Sequence, residues 1–576
     1  MIFKKIAEKI EKTNLLYLFT FLFLITFALY FFSLFNGFVW DDEEQILKNF
    51  IIQNISNLPY FFTSSTFNTG GAGLSGWYYK PLMPVTFSLI NFVFGLSPFF
   101  YHLFDLIIHF VNGILIFLLF KKLFDFSKYK FSKTVAFLLS LLFIVHPVNV
   151  ESVAYISSTQ EVLYVLFLLL ALFCSFKFLT GKENSWLKLL IINFFILCSL
   201  LSKESGIVSI PIIILLTYLI NKSKIKIVSI ASFLTFIFYL ILRFPIAKTP
   251  FSQHSQIIPI SEATLTQRFM TIPFELFSYV RLTFFPLNLF VAQHTVIKTL
   301  SDSRFYLDFL FLLILLSILI LVLKKFWTKN LIFFIGWVVF TFAILLNIYP
   351  LDMTIAERWM YGPLIGLLGI LGFVCLEAVK KNIKYLGVFI FVIILFSAVF
   401  FVRSFIRTFD WKDDLSLFSH DIKYNFDSFD AQNNLGVALF EEGKILQSEP
   451  YFKKSIKLSP KWWTPYNNLG VIYQRQGKIK EAKIMYQKSI DNGNYYLAYE
   501  NLAQLKASTE NPKQVLPFIE SSLKVLPDNE ALNKVAAFLY VKTGEVQKAK
   551  FYATRTYQLD QSEANYLFLK EILNEK

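Results

Sequence analysis

Polar and apolar positions follow two different patterns along the chain, and the change falls near Arg403. Up to about residue 405 the sequence consists of long apolar runs, and a membrane-spanning helix needs about 20 such residues. Beyond that point it is an ordinary polar, helix-forming sequence. The first pattern predicts eleven spans, near 14–35, 100–120, 134–147, 160–178, 187–201, 206–221, 227–245, 304–323, 331–349, 359–378 and 385–404.

Lysine-rich segments give these spans an orientation, because short cytoplasmic loops are enriched in Lys and Arg. The segments lie near 4–12, 121–133, 177–188, 222–226, 324–329 and 380–384. With eleven spans they all face the cytoplasm, which places the N-terminus inside and the polar C-terminal part outside. Two further apolar stretches, Pro81–Leu96 and Pro273–Phe290, are then interfacial or re-entrant helices. Counting both as spans gives thirteen crossings and leaves the tail outside.

Composition supports an integral membrane protein. Of 576 residues, 55% are hydrophobic and only 16% are charged, whereas soluble proteins carry about 25% charged residues. The three cysteines exclude a disulfide scaffold. The formal net charge is +15, and residues 1–405 hold 32 basic and 19 acidic side chains, or +13 of it. Since the excess belongs to the membrane part, we expect no nucleic-acid partner. The Lys-, Ile- and Phe-rich composition suggests a prokaryotic cytoplasmic membrane.

The polar tail repeats itself at a period of about 34 residues. Asn434-Leu435-Gly436 recurs as Asn468-Leu469-Gly470, and Gly443-Lys444 recurs as Gly477-Lys478. This pattern resembles tetratricopeptide repeats (TPR), helix pairs that stack into an α-solenoid. We place about four repeats at 429–563 and a connector helix at 406–428. Such arrays bind proteins in a groove; the alternative is an array that only packs on the membrane part. Candidate groove residues are Trp462, Trp463, Tyr466 and Tyr473.

The first predicted outer loop, part of the segment 36–99 with its interfacial helix, contains four consecutive acids. Asp41 and Asp42 come directly after a span and are followed by Glu43 and Glu44. Adjacent carboxylates in a partly desolvated site do not ionise easily together, so one becomes a stronger base. Such a group suits proton removal from a hydroxyl. The alternative is a solvated acidic loop.

A series of short motifs resembles the C superfamily of membrane glycosyltransferases (GT-C), specifically its transmembrane-and-TPR-containing (TMTC) branch near the protein O-mannosyltransferases. The matching stretches are FNGFVWDDEEQI at 35–46, the segment from YYKPLM to DLIIH at 78–109, HPVNVESVAYIS at 146–157, LLSKES at 200–205, RLTFFPLNL at 281–289 and AERWMYGP at 356–363. The resemblance implies a GT-C-like domain at 1–405, with Asp41 and Asp42 in the place of the catalytic base. It also implies a polyprenyl-phosphate sugar as donor substrate.

Other charged residues at predicted outer span ends are candidates for binding the donor. A guanidinium holds two phosphate oxygens, which favours Arg358 as the phosphate ligand, with Lys203 as second choice. The alternative is that Glu357 or Asp352 holds Arg358 structurally. Further candidate substrate-binding residues are Glu204, His146, Glu151, Glu357 and Tyr361. No HxH or HExxH spacing occurs, so we expect no metal, and we predict no cofactor.

Together these observations predict an all-α protein, a polytopic membrane helix bundle followed by a TPR solenoid, that acts as an inverting glycosyltransferase. It would transfer a hexose, mannose by resemblance, from the lipid donor to a hydroxyl of an exported protein. Its partners are membrane lipids, the lipid-linked donor and a protein bound by the TPR domain. One alternative keeps the donor and uses a lipid or surface glycan as acceptor. Another is a non-catalytic TPR scaffold for envelope assembly.

Overall fold

The protein is helical and forms two compact units. A computed structural model describes residues 2–66, 78–181, 185–250, 257–291, 293–325 and 328–574. In these ranges one isolated bridge joins Gln293 to Ile355 and no strand forms. The units are Met1–Asn425 and Phe426–Lys576. The predicted all-α class is therefore confirmed. Part of the predicted first outer loop, 67–77, lies outside the described residues.

Seventeen α-helices are described in the first unit. They are α1 Ile2–Lys12, α2 Leu15–Tyr30, α3 Leu82–Phe94, α4 Pro98–Phe126, α5 Ser132–Ile144, α6 Val150–Ala154, α7 Thr159–Thr180, α8 Trp186–Ser202, α9 Ser209–Ile220, α10 Ile225–Ile241, α11 Pro259–Glu262, α12 Leu265–Phe284, α13 Ser303–Lys325, α14 Lys329–Ala343, α15 Tyr361–Lys381, α16 Lys384–Asp410 and α17 Asp414–Tyr424. Short 3₁₀ or π turns lie at Phe32–Phe35, Glu43–Leu47, Ile55–Phe62, Pro147–Asn149, Ile156–Ser158, Glu204–Val208, Lys222–Lys224, Leu242–Ile246 and Glu357–Met360.

Several of these helices are long and apolar enough to cross a membrane. Six satisfy length and composition within the described residues, or up to eight if the bent pairs α1–α2 and α5–α6 each count as one span. Four shorter apolar segments, Leu82–Phe94, Trp186–Ser202, Glu204–Ile220 and Lys329–Ala343, fall below that length. The chain is an integral membrane protein, while the count of eleven spans and their orientation stay predictions.

Helix α15 is central to the packing of this unit because small residues let its neighbours approach closely. A Cβ added to Gly369 would lie 2.1 Å from the Phe334 ring of α14, and one on Gly362 would lie 2.2 Å from the Tyr164 hydroxyl of α7. Larger residues at these positions would separate the helices. The start of α15 and the Glu357–Met360 turn before it are thus fixed against α14 and α7.

The second unit consists of helix pairs. Its helices are α18 Phe429–Glu441, α19 Ile445–Leu458, α20 Thr464–Arg475, α21 Ile479–Gly493, α22 Tyr496–Thr509, α23 Pro512–Val525, α24 Glu530–Thr543, α25 Val546–Leu559 and α26 Glu563–Asn574. Gly443, Gly477 and Gly544 have φ between +73° and +82° at the ends of three first helices, a conformation that favours glycine. Inside the pairs, Gly436 faces the Phe452 ring and Gly470 faces the Tyr486 ring.

The predicted connector 406–428 is divided between these elements. Residues 406–410 complete α16, α17 follows, and the boundary between the units falls after Asn425. Within the first unit, Asp421 of α17 accepts a hydrogen bond from the backbone N–H of Val291 at 2.8 Å. The α17 helix is therefore part of the first unit.

Candidate active site

A cavity of about 200 Å³ lies in the first unit, where several charged side chains meet. Its charged lining residues are Lys80, Lys203, Glu204, Asp352 and Arg358, and its other lining residues include Tyr78, Gln160, Ser205, Tyr349 and Trp359. The cavity thus combines three cations with aromatic and aliphatic walls, a composition that suits a ligand with an anionic and an apolar part.

The four acids of the first loop have different surroundings. Glu43 and Glu44 lie near the ammonium of Lys48, at 2.9 and 3.7 Å, on the surface. Asp42 is fully buried. Its carboxylate accepts hydrogen bonds from the backbone N–H of Val39 at 3.0 Å and from the backbone and hydroxyl of Ser157 at 2.7 and 2.5 Å. Asp41 is partly exposed. Of the four acids, Asp41 is thus the one that is partly exposed and close enough to the cavity residues Arg358, Asp352 and Lys80 for their charges to act on it.

The charge state of Asp41 is set by opposing influences. Burial raises the pKa of Asp41 to about 6, although the nearby Tyr155 hydroxyl and the positive charge of Arg358 both act to lower it. Burial raises the pKa of Asp42 to about 7 against the donors from Ser157 and Val39. A carboxylate with a pKa near 6 is mostly ionised at neutral pH and is a stronger base than an ordinary aspartate.

Two of the three cavity cations are held by glutamates that the sequence places far away. The guanidinium of Arg358 lies 2.5 Å from Glu151, which also accepts the backbone N–H of Arg358 at 2.8 Å. The ammonium of Lys203 forms an ion pair with buried Glu161. The partner of Arg358 is therefore Glu151, rather than Glu357 or Asp352 as the structural alternative proposed. Both glutamates fix a cation and neutralise part of its charge.

Lys80 is the cavity cation that the sequence reasoning missed. Its side chain is almost fully buried, and its ammonium lies 4.1 Å from the centre of the Tyr78 ring. In the described part of the chain no carboxylate forms an ion pair with it. Burial lowers the pKa of Lys80, while Glu204 and Asp352 oppose that shift. The sequence did indicate Lys80 in one way: it lies in the YYKP stretch of the same predicted outer segment as the acidic pair.

Glu204 also lines the cavity and has its own cation. It accepts a hydrogen bond from Arg243 at 3.0 Å. Burial opposes its ionisation, but the charges of Lys80 and Arg243 outweigh this and hold the pKa of Glu204 below its usual value. Asp352 accepts a hydrogen bond from the Tyr78 hydroxyl at 3.3 Å. The cavity wall thus contains fixed negative charge opposite its cations.

One protein family and several individual proteins are similar to this chain. The tetratricopeptide repeat family matches residues 429–461 and 464–492. Protein O-mannosyl-transferase F38B6.6 of Caenorhabditis elegans is 26% identical over 447 residues, covering 74% of this chain and 60% of that protein. Protein O-mannosyl-transferase TMTC3 of Homo sapiens is 25% identical over 472 residues, covering 75% and 50%. The chain resembles the TMTC-type protein O-mannosyl-transferases. The resemblance inferred from the motifs is confirmed.

The chain spans 50–60% of the length of these two relatives. Among solved structures, a TPR protein with an unusual peptide-binding site, YrrB, covers 27% of this chain at 18% identity with a TM-score of 0.23. A TM-score of this size carries no weight for the fold, which rests on the helix pairs and the family match.

Three other candidates in the TMTC-like unit are placed away from the cavity. His146 is buried, and its Nε2 lies 2.9 Å from the Thr283 carbonyl. The Tyr361 hydroxyl lies 2.8 Å from Nδ1 of His109 and accepts from Asn112 at 3.1 Å inside the bundle. Glu357 is buried and pairs with Arg407 at 3.5 Å. These three side chains support the helix packing around the site rather than the cavity wall.

The candidate groove aromatics of the TPR unit make contacts between helices. Trp462 packs edge-to-face on Phe429, and Trp463 and Tyr473 pack against the buried core. The Tyr466 hydroxyl donates to the Pro460 carbonyl at 3.1 Å. All four rings are half-buried, so much of their surface is used in packing, and their role in a groove stays a prediction.

No group of three or more potential metal-ligating side chains (His, Cys, Asp or Glu) occurs among the described residues. The carboxylates at the cavity are instead paired with cations or hydrogen-bond donors, as given above. The expectation from the sequence that no metal is needed therefore stays a prediction.

Proposed function

We propose that the first unit transfers a hexose, most simply mannose, from a polyprenyl-phosphate donor to a hydroxyl group of a protein. The observation that carries the proposal is that the partly exposed Asp41 lies close enough to Arg358, Asp352 and Lys80 for their charges to act on it, and these three residues line a cavity with three cations. The similarity to proteins named protein O-mannosyl-transferases supports the sugar and the protein acceptor. The apolar helices around the cavity suit the lipid tail of the donor.

The transfer is a single displacement with inversion at the anomeric carbon. The acceptor hydroxyl gives its proton to the Asp41 carboxylate, and its oxygen forms a bond to that carbon. The bond from the anomeric carbon to the phosphate oxygen breaks, and its electron pair leaves on the lipid phosphate. Removal of a proton by a positioned base contributes about 10²–10⁴-fold to rate.

The cavity cations stabilise the phosphate that leaves. Arg358 and Lys203 are held in place by Glu151 and Glu161, and Lys80 adds a positive charge near the same cavity. Fixed cations that need no rearrangement during the reaction stabilise developing negative charge best. The donor phosphate therefore binds among Lys80, Lys203 and Arg358, with the sugar toward Asp41.

The acceptor side of the proposal involves the second unit. TPR arrays present extended surfaces that bind peptides or proteins, so the second unit is proposed to bind the protein that carries the acceptor Ser or Thr. The lysine distribution favours the extracytoplasmic face as the place of the reaction, and the Lys-, Ile- and Phe-rich composition favours a prokaryotic membrane.

Replacement of Asp41 tests this mechanism. We expect Asp41→Asn to reduce mannose transfer from polyprenyl-phosphate mannose by about 10²–10⁴-fold without changing the amount of folded protein. Asp42→Asn is the matched control. Its side-chain N–H₂ would face a donor from Val39 or Ser157, so we expect less folded protein and largely unchanged turnover per folded molecule. Full activity of Asp41→Asn would exclude Asp41 as the base.

A further inference from the structure

The backbone just before Asp41 adopts an unusual conformation. Trp40 has φ of +56°, in the left-handed region that bulky residues rarely adopt. Such conformations persist only when surrounding contacts enforce them, and they are concentrated at functional sites. The contacts that hold this turn therefore decide where the Asp41 side chain points.

Many of these contacts come from the end of α16 and from the connector that follows it. The carboxylate of Asp414 accepts the backbone N–H of Trp40 at 2.8 Å. The carbonyl of Lys412 accepts the backbone N–H of Gly37 at 3.0 Å. The side-chain amide of Asn36 donates to the carbonyl of Thr408 at 3.0 Å. Three hydrogen bonds, from residues more than 370 positions away, thus fasten the segment that leads into Asp41.

A stack of three aromatic rings forms a second connection. Trp40 stacks on Tyr155 with ring centres 5.3 Å apart, and Tyr155 stacks on Trp411 at 5.1 Å. Trp411 is fully buried. The Tyr155 hydroxyl lies near enough to Asp41 to lower the pKa of its carboxyl. Trp411 therefore supports the Tyr155 ring directly and the Trp40 ring through Tyr155.

We propose that the segment from Thr408 to Asp414 is a positioning element for the transfer site, and that Asp414 is its main positioning residue. Asp414 does not line the cavity. It acts through the Trp40 backbone, which it holds in the conformation that directs Asp41 toward the substrate. The catalytic consequence rests on the proposed function, whereas the structural role of Asp414 does not. The chain continues from this segment through the rest of α17 to the boundary between the units after Asn425.

The test compares neighbouring aspartates in the full-length protein in detergent or lipid nanodiscs. Asp414→Ala removes the acceptor for the Trp40 N–H, while Asp414→Asn keeps an oxygen in place. Asp413→Ala is the matched control, because Asp413 caps α17 by accepting the Ser416 N–H at 2.8 Å and makes no bond to Trp40 in the contacts described. Hydrogen exchange of the peptide 36–46 and mannose transfer are measured for each variant.

We expect Asp414→Ala to increase hydrogen exchange at residues 36–46 by at least tenfold and to lower kcat by about 10–100-fold, since a misplacement of about 1 Å costs up to about 10² in rate. The KM for the lipid donor should stay within about twofold, because the cavity cations are untouched. Asp414→Asn and Asp413→Ala should both resemble the unmodified protein at this peptide. If Asp414→Ala does not accumulate, Trp411→Phe should give the same pattern with smaller changes.

The outcomes separate this inference from the proposed function. Faster exchange in Asp414→Ala with no transfer by any form of the protein would keep the positioning role and reject the function. Unchanged exchange, or equal changes in Asp413→Ala and Asp414→Ala, would overturn the positioning role even if transfer is observed. A loss of donor affinity without a change in kcat would also contradict it.

Discussion

The ion pairs around the cavity of the first unit differ in burial from exposed ion pairs of the second unit. In the first unit, ion pairs near the cavity are buried: Arg358 and Glu151 expose 8% and 0% of their side chains. In the second unit the Lys444–Glu442 pair exposes 43% and 44%. Exposed pairs contribute little to stability, whereas a buried charge without its partner is costly. Buried charge is thus concentrated around the cavity of the first unit, while the second unit depends on repeated apolar packing.

Removal of one partner from each kind of pair tests this difference most strongly. Glu151→Ala would leave the Arg358 guanidinium buried and unpaired, and we expect a loss of about 3–5 kcal/mol in the free energy of unfolding. Glu442→Ala, the control in the second unit, should change it by at most about 1 kcal/mol. Thermal or denaturant unfolding in detergent measures both. Similar effects of the two substitutions would show that burial does not distinguish the units.

The pH dependence of transfer sharpens the comparison within the first unit. Because the pKa of Asp41 is about 6, its base form should fall about tenfold between pH 7 and pH 5, and kcat/KM should fall with it. If Asp41 is the base, this fall in kcat/KM should persist in Asp42→Asn. A fall in kcat/KM that begins near pH 7 and disappears in Asp42→Asn would instead assign the base to Asp42, whose pKa is about 7.

This loss of activity is distinct from acid unfolding. The folded-state pKa of Asp41 lies above that of an unfolded aspartate, so its contribution favours the fold most below about pH 4 and disappears as the pH rises through about 6. Glu204 behaves oppositely: its folded-state pKa is lowered, so its contribution is present above about pH 4.5 and is lost only at lower pH. Acidification from pH 7 to 5 should therefore reduce transfer without unfolding the protein through these groups.

Local pattern predicted the repeats well because a TPR pair is defined by residues close in sequence. Gly443 and Gly477 end their helices as the sequence indicated. The same local pattern found the acidic pair but not the different surroundings of its two members. The hydroxyl that donates a hydrogen bond to Asp42 belongs to the distant Ser157. Contacts across more than a hundred residues are set by helix packing, which a single sequence does not reveal.

The charged motif near residue 357 shows the same limit. Glu357 and Arg358 are adjacent, which made them natural partners in the sequence. The 3₁₀ turn Glu357–Met360 instead directs Arg358 toward Glu151 and Glu357 toward Arg407. Likewise, Lys80 was quoted in a motif without a role, because only the fold places its ammonium at the cavity beside Arg358 and Lys203.

The smallest expected effect lies in the second unit, where shape rather than charge is decisive. A Cβ on Gly470 would lie 2.6 Å from the Tyr486 ring, whose hydroxyl donates to Gln474 at 2.7 Å. Overpacking costs about 1–3 kcal/mol, and the higher helix propensity of alanine returns about 1 kcal/mol. We therefore expect Gly470→Ala to destabilise the second unit by about 1 kcal/mol in unfolding experiments.

A double-mutant cycle isolates the contact from the propensity gain. In a Tyr486→Ala background the ring is absent, so Gly470→Ala should become neutral or stabilising, and the coupling energy should be at least about 0.5 kcal/mol. Transfer from the lipid donor to a small soluble acceptor should be unaffected, because the cavity lies wholly within the first unit. If the effects of the two substitutions simply add, Gly470 is required for the conformation of the chain rather than for close packing against Tyr486. A loss of transfer to the small acceptor would show instead that the TPR packing supports the chemistry itself, and the division of roles between the two units would then be wrong.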